Sequence, residues 1–366
     1  MDIFHYIVWF ACAAAVTAVL QLIQLPLRRK NKIWISALSF VAKGLVAVAV
    51  AYVSMAICNK LVWNLGYFPA ALYAALLCDA AADLIALIVG PIRRKPRHVM
   101  RIAVLLTMAF VIYGTINMES VVPKEHTYTS NKIHSAHKFV FLSDLHYGSA
   151  QSVATVNKTL DEIASLKPDF ILLGGDITDE HTKADEMRQI YNKLGDLGVP
   201  VYFVYGNHDR QPDGSYLGGT KYTPEELEKA IKDNDLKILR DEIEIISDDL
   251  VILGREDVSA GDKRCAVADL PKRPEGSYVV CIDHSPYLED DIRATKADLQ
   301  LSGHTHAGQF FPLQYVYRLG VNNIYGDYKL GNTNLYVSSG ISGWYFPFRT
   351  VARCNYEIIT LKPNDD

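Results

Sequence analysis

The first 118 residues contain four long apolar runs, Ile3 to Leu27, Ile33 to Cys58, Gly66 to Ile92 and Ile102 to Met118. Each is long enough, or nearly so, to cross a hydrocarbon core about 30 Å thick, which takes about 20 residues at about 1.5 Å rise. A backbone in hydrocarbon must satisfy its own hydrogen bonds, so these runs are expected to be transmembrane helices spanning residues 1–118. A cleaved signal peptide does not account for them, because Met1-Asp-Ile-Phe4 lacks a basic start and three more runs follow.

The basic residues between the runs set an expected orientation. Arg28, Arg29, Lys30 and Lys32 separate the first pair, and Arg93, Arg94, Lys95, Arg97 and Arg101 separate the last pair. The other side carries Lys60 in the middle loop, Asp2 at the amino end, and Glu119, Lys124 and Glu125 after the fourth run. The positive-inside rule places both chain ends, and everything after Met118, outside the cytoplasm. Three charged residues fall inside the runs. Lys43 lies in the second, and Asp79 and Asp83 lie four apart on one face of the third. They read either as a Lys-to-Asp pair joining helices or as a polar cavity for a head group or ion.

Residues 119–137 read as a short connector and first edge strand, and 138–366 as a soluble domain. There Phe139-Val-Phe-Leu142, Asp169-Phe-Ile-Leu-Leu173 and Val199 to Tyr205 read as buried strands. Between them, Val153 to Leu166 and Lys183 to Leu197 have helical apolar spacing. That alternation predicts a parallel α/β start. Thr223, Pro224 and Glu226 mark a third helix through a capping box. Beyond Asp235 strand candidates dominate, at Ile243 to Ile246, Leu250 to Leu253, Tyr278 to Ile282, Leu299 to Leu301, Asn334 to Ser338 and Tyr356 to Leu361. They predict a second sheet packed on the first. Cys265, Cys281 and Cys354 are an odd number in this part and read as buried thiols rather than a disulfide framework.

Open α/β sheets present their chemistry at strand carboxyl ends. Here those ends run into Ser143-Asp-Leu-His-Tyr147, Gly174-Gly-Asp-Ile-Thr-Asp179 and Gly206-Asn-His-Asp209, followed later by His284 and by Gly303-His-Thr-His306. Singly, Asp144 reads as a turn acceptor, Asp176 as a helix cap, Asn207 as a turn former, and His304 with His306 as imidazoles on a glycine-rich turn. Jointly, five such fragments at strand ends supply Asp, Asn and His donors with no thiolate, a set suited to Mn, Fe or Zn.

These ordered motifs resemble those of the calcineurin-like metallophosphoesterases, over about Lys138 to Leu361. Val337-Ser-Ser-Gly-Ile341 and Arg349 look most like the membrane-tethered bacterial branch, which includes hydrolases of lipid-linked phosphoesters and pyrophosphates. Cys354-Asn-Tyr-Glu357 departs from the branch, where a proline usually precedes the glutamate. The resemblance implies an α/β fold in which a four-helix transmembrane bundle is followed by a two-sheet metallophosphoesterase sandwich with helices outside the sheets. It implies two divalent metal ions, Mn first, with Fe or Zn as alternatives. One would be held by Asp144, His146, Asp176 and His306, and the other by Asp176, Asn207, His284 and His304. His208 would act as general acid for the leaving oxygen, with Asp209 orienting its ring. A metal-activated water would attack phosphorus in line.

Two loops are rich in aromatic residues, Phe310 to Arg318 and Trp344 to Arg349. They read either as domain core or as an apolar lip that meets the bilayer or a lipid tail, with Arg318 or Arg349 on phosphate. The loop Arg210 to Tyr222, with Gly214, Tyr216, Gly218 and Gly219, reads as a cover over the site or as a plain connection.

The expected activity is hydrolysis of a phosphodiester, phosphomonoester or pyrophosphate on a lipid or glycolipid at an extracytoplasmic, bacterial plasma membrane surface. A protein phosphatase, and a membrane sensor or transporter that only binds its ligand, are the alternatives. Nucleic acid is not an expected partner, because the net charge is −4 and the basic clusters lie on the cytoplasmic side. Protein partners are not legible in the sequence.

Overall fold

The computed structural model describes residues 3–29, 33–61, 67–89, 96–212, 219–346 and 348–364. Lys30, Lys32, Arg93, Arg94 and Lys95, and the loop residues Gly214, Tyr216 and Gly218, lie outside them. The chain divides into a helical unit, Met1–Asn117 with Tyr345–Thr350, and a second unit, Met118–Trp344 with Val351–Asp366.

The helical unit contains α1 (Ile3–Arg29), α2 (Ile33–Leu61), α3 (Tyr67–Val89) and α4 (Pro96–Glu119). Among the described residues, Trp9–Pro26, Phe68–Val89 and His98–Glu119 are long and apolar enough to cross a membrane, and the apolar stretch Trp34–Val50 of α2 is shorter. Lys43 Nζ lies 2.6 Å from Asp79 Oδ2 and also pairs with Asp83. Gln21 donates to Asp79 and Ser39 to Asp83, each at 2.8 Å. These partners tie α1 and α2 to α3, which is how charged groups are accommodated away from water.

The segment Tyr345–Thr350, which the sequence analysis assigned to the soluble domain, belongs to the helical unit. Phe348 stacks on Trp9 at 5.2 Å and meets Phe110 edge-on at 6.1 Å. It lies where a Cβ on Gly114 would come within 2.5 Å of its ring, so a side chain at that point of α4 would displace it. The second aromatic run is therefore core, not an exposed lip.

Among its described residues the second unit is built on twelve strands in two sheets. In chain order the elements are β1 (Val121–Thr129), β2 (His137–Leu142), α5 (Val153–Ser165), β3 (Phe170–Leu173), α6 (Ala184–Gly195), β4 (Val201–Phe203), α7 (Pro224–Asp233) and β5 (Lys237–Ile238). They continue with β6 (Glu242–Ile245), β7 (Leu250–Gly254), β8 (Tyr278–Ile282), α8 (Glu289–Thr295), β9 (Leu299–Ser302), α9 (Leu313–Tyr317), β10 (Gly326–Leu330), β11 (Thr333–Val337) and β12 (Cys354–Lys362). One sheet has the order β1-β12-β2-β3-β4-β5 and the other β10-β11-β9-β8-β7-β6. The expected sandwich is present, β1 is the edge strand expected within residues 119–137, and β5 and β10 are strands that the sequence analysis did not specify.

Side chains on successive strand residues point to opposite faces, so each buried strand of the first sheet feeds two cores. Val140, Leu142, Ile171 and Leu173 pack against Val156, Leu160, Met187, Ile190 and Leu227 of the outer helices. Phe139, Phe141, Phe170 and Leu172 pack against Leu250, Ile252, Val280 and Leu301 of the other sheet. α7 begins as expected, with Thr223 Oγ1 accepting from Glu226 N at 3.2 Å and Glu226 returning to Thr223 N at 2.7 Å. Cys281 and Cys354 are buried free thiols and Cys265 is a half-buried one.

Phe139 is fully buried and stacks on Phe170 at 4.7 Å, between the sheets. Phe139→Ala is expected to lower the unfolding free energy of the second unit by about 3–5 kcal/mol, the usual cost of removing a buried aromatic. Denaturant unfolding of the detergent-solubilised protein measures this, with Phe139→Leu expected to recover most of the loss.

Candidate dinuclear metal centre

The carboxyl ends of β2, β3, β4, β8 and β9 converge. Asp144 and His146 follow β2, Asp176 follows β3, Asn207 and His208 follow β4, His284 follows β8, and His304 and His306 follow β9. Asp144, Asp176, His146, His304 and His306 all have positive φ, between 42° and 71°. Such strain concentrates where a fold fixes functional groups. Glycines make the close approach possible. A Cβ on Gly206 would come within 2.2 Å of Asp176 Oδ1, and one on Gly303 within 2.3 Å of Asp144 Oδ2.

Two groups form. Asp144, His146 and His306 place one donor atom each within 4.8 Å of one another, and so do Asp176, His284 and His304. Asn207 joins the second, its Oδ1 lying 2.8 Å from His304 Nδ1 and 3.2 Å from His284 Nε2. Asp176 Oδ2 faces both groups, at 3.0 Å from His284 Nε2 and 3.9 Å from His146 Nε2. All seven ligands expected from the sequence are thus brought together.

The hydrogen bonds on the outer side of the rings test whether cations fit. His146 Nδ1 is 3.1 Å from Asp179 Oδ2, His284 Nδ1 is 2.7 Å from Gly174 O, and His306 Nδ1 is 3.1 Å from Ser342 O. Each of these oxygens is an acceptor, so each Nδ1 carries a proton, and in the neutral ring each Nε2 turns a lone pair inward. His146 Nε2 is buried with no hydrogen-bond partner. Lone pairs of imidazole, amide oxygen and carboxylate facing one another repel unless positive charge lies between them. The donor set fits divalent cations, with Asp176 shared.

Burial by itself would lower the basicity of His304, and with His284 beside it the ring is held down at about 3, neutral and able to act as a ligand. Burial also opposes protonation of His208. There the Asp176 carboxylate and the Glu180 hydrogen bond outweigh it and raise the ring to about 10. The His208 ring stands 5.6 Å from that of His146, and its backbone N donates to Asp176 Oδ1 at 2.8 Å.

The expected role of Asp209 is corrected. Its carboxylate accepts from the backbone N of Asp176, Ile177, Thr178 and Gly206, at 2.7 to 3.0 Å. It therefore fixes the loop that carries Asp176, and does not orient His208. Glu180 does so, with Oε2 at 2.8 Å and Oε1 at 3.0 Å from His208 Nδ1. On the other side Trp344 stacks on the His208 ring at 5.5 Å, its backbone N bonded to Gln309 Oε1. Tyr287 meets His304 edge-on at 5.0 Å. Sequence reasoning missed Glu180, Trp344 and Tyr287. The only available hint for Glu180 was its place just after the Asp176 motif. Of the two expected phosphate contacts, Arg349 is fully buried in the helical unit and Arg318 is exposed on the turn after α9. Neither belongs to the histidine cluster.

Two sheets whose strand ends carry two ligand groups around a shared carboxylate define a candidate dinuclear metal centre. Residues 137–308 match the calcineurin-like phosphoesterase family, and the chain carries a domain of that family. An uncharacterized metallophosphoesterase of Helicobacter pylori is 28% identical over 250 residues, covering 66% of this chain and 64% of its own length. One from Campylobacter jejuni is 26% identical over 315 residues, covering 81% of each chain. A transmembrane protein with metallophosphoesterase domain from Danio rerio is 26% identical over 71% of this chain and 62% of its own. The chain therefore spans under two thirds of the Helicobacter and Danio proteins. Among solved structures, a dimetal phosphatase from Danio rerio aligns with TM-score 0.36 at 10% identity, over 56% of this chain and 88% of its own.

Glu180→Gln is expected to lower kcat by about 10- to 100-fold, part of the roughly 10²–10⁴ that a positioned acid contributes, with metal content unchanged. Steady-state kinetics with metal analysis of the same sample checks this. Asp209→Ala should instead lose metal, because the Asp176 loop is released.

Proposed function

We propose that the protein is a membrane-anchored, dinuclear-metal phosphoesterase acting on a phosphodiester, phosphomonoester or pyrophosphate carried by a lipid or glycolipid. The observation that carries the reading is the Asp176 carboxylate shared by two groups of inward lone pairs, in a chain whose amino-terminal helices are long and apolar enough to cross a membrane. Asp144, His146, Asp176 and His306 would hold one ion, and Asp176, Asn207, His284 and His304 the other. The donor chemistry favours Mn, with Fe or Zn as alternatives. When bound, the pair supplies an activated water and charge neutralisation at the phosphoryl oxygens.

The remaining work falls to this chain's own side chains. His208 gives a proton to the leaving oxygen. Glu180 holds its Nδ1, so the opposite nitrogen, Nε2, is the one presented to substrate. Trp344 stacks along the ring and limits its rotation. The charge pattern of the loops favours an extracytoplasmic domain at a bacterial plasma membrane. The charged residues inside the helices support an anchor rather than a transport path, because Lys43 pairs with Asp79 and Asp83, which also accept from Gln21 and Ser39, and together they tie helices to one another.

Purified protein with Mn is expected to cleave bis-p-nitrophenyl phosphate and to release phosphate from members of a lipid-extract panel followed by mass spectrometry. Asp176→Asn and His208→Ala should each lower the rate by at least about 100-fold. Equal rates in these variants would contradict the proposal.

A further inference from the structure

The two aromatic runs have different fates. Tyr345, Phe346 and Phe348 are buried, whereas the run after His306 is split along its length. Phe310 and Leu313 are buried beneath the His306 turn, and Phe311, Tyr315 and Leu319 lie 47%, 57% and 87% exposed. These three recur every four residues, so α9 and its flanks show an apolar ridge to solvent. Phe311 and Tyr315 meet edge-on at 6.2 Å. Tyr287 and Leu288 are also open, and they line one cavity of about 580 Å³ with Gly320 and Val321, next in chain to Leu319. Among the described residues of this unit, Ile245 and Val258 are the other exposed large apolar side chains.

Charge follows the same division. From Leu299 to Gly326 the sequence has no Asp or Glu, and its one Lys or Arg is Arg318. Arg318 is exposed, and its guanidinium has no hydrogen bond or ion pair among the described residues. Aromatic rings, one protruding leucine and an adjacent free cation are the composition of segments that lie in the headgroup region of a bilayer.

The connection favours lipid over a protein partner. α4 ends at Glu119 and β1 starts at Val121, so one residue, Ser120, separates an apolar helix of spanning length from the first strand in the chain. Chain continuity with an apolar helix of spanning length favours lipid as the occupant, and a specific protein interface needs about 800 Å² on each partner. We infer that Phe311, Tyr315 and Leu319 form a bilayer-contacting ridge, with Arg318 on lipid phosphate, beside the mouth of the metal centre. The inference rests on the membrane-anchored reading and not on the identity of the substrate.

The test uses the full chain in nanodiscs of phosphatidylcholine and phosphatidylglycerol. p-Benzoylphenylalanine in place of Leu319 is expected to form lipid adducts on illumination, and the same probe in place of Glu225, exposed on α7, is not. Leu319→Asp and Tyr315→Asp should lower kcat/KM for a phosphodiester lipid in the same discs by about tenfold, and leave bis-p-nitrophenyl phosphate unaffected. No adduct at 319, equal adducts at 319 and 225, adducts to protein instead of lipid, or equal losses on both substrates would each overturn it. If the unsubstituted protein cleaves neither substrate, the proposed function fails while the adducts still decide the bilayer contact.

Discussion

Asp176 is the constraint on which the rest of the second unit depends. One carboxylate oxygen faces a histidine that follows a strand of the first sheet and another that follows a strand of the second. Holding it there requires the positive φ at Asp176, the absent side chain at Gly206, and the inward-turned carboxylate of Asp209. Mutually facing lone pairs are unstable without a cation, so the fold bears a cost that metal binding would offset. The sheets provide the stiffness: their shared core of Phe139, Phe141, Ile252 and Leu301 fixes the distance between the strand ends that carry the ligands.

The ligands were legible because each lies at the carboxyl end of a buried strand, and buried strands announce themselves through continuous apolar runs. Edge strands do so weakly: β1 was expected only as an unplaced edge strand within residues 119–137, and β10 was not expected. β1 reads Val-Val-Pro-Lys-Glu-His-Thr-Tyr-Thr and β10 reads Gly-Asp-Tyr-Lys-Leu, half exposed and partly charged. Their membership in a sheet is set by partners far along the chain. The partner of His208 was hidden for a similar reason. Asp209 adjoins it in sequence, but the turn after β4 points that carboxylate into the backbone, and Glu180, 28 residues earlier, reaches the ring.

The aromatic segments show where composition stops being informative. Phe310 to Arg318 and Trp344 to Arg349 are alike in residue types, yet Phe348 is core against Trp9 and Phe110, and Phe311 is open. Tertiary context decides, since an aromatic ring suits a helix core and a lipid surface equally well. Between them lies Trp344, whose ring lies along His208. The charged residues within the helices were ambiguous in the same way, until the structure brought Lys43 to both aspartates.

The central claim is that two ions share Asp176. Electron paramagnetic resonance of the Mn-loaded protein addresses it directly, because ions bridged by one carboxylate, about 3.5–4 Å apart, are magnetically coupled. The account predicts uptake of about two ions per chain with a coupled spectrum, and loss of the coupling in Asp176→Asn. Uptake of a single ion, or of ions whose spectra remain uncoupled in the unsubstituted protein, would contradict it.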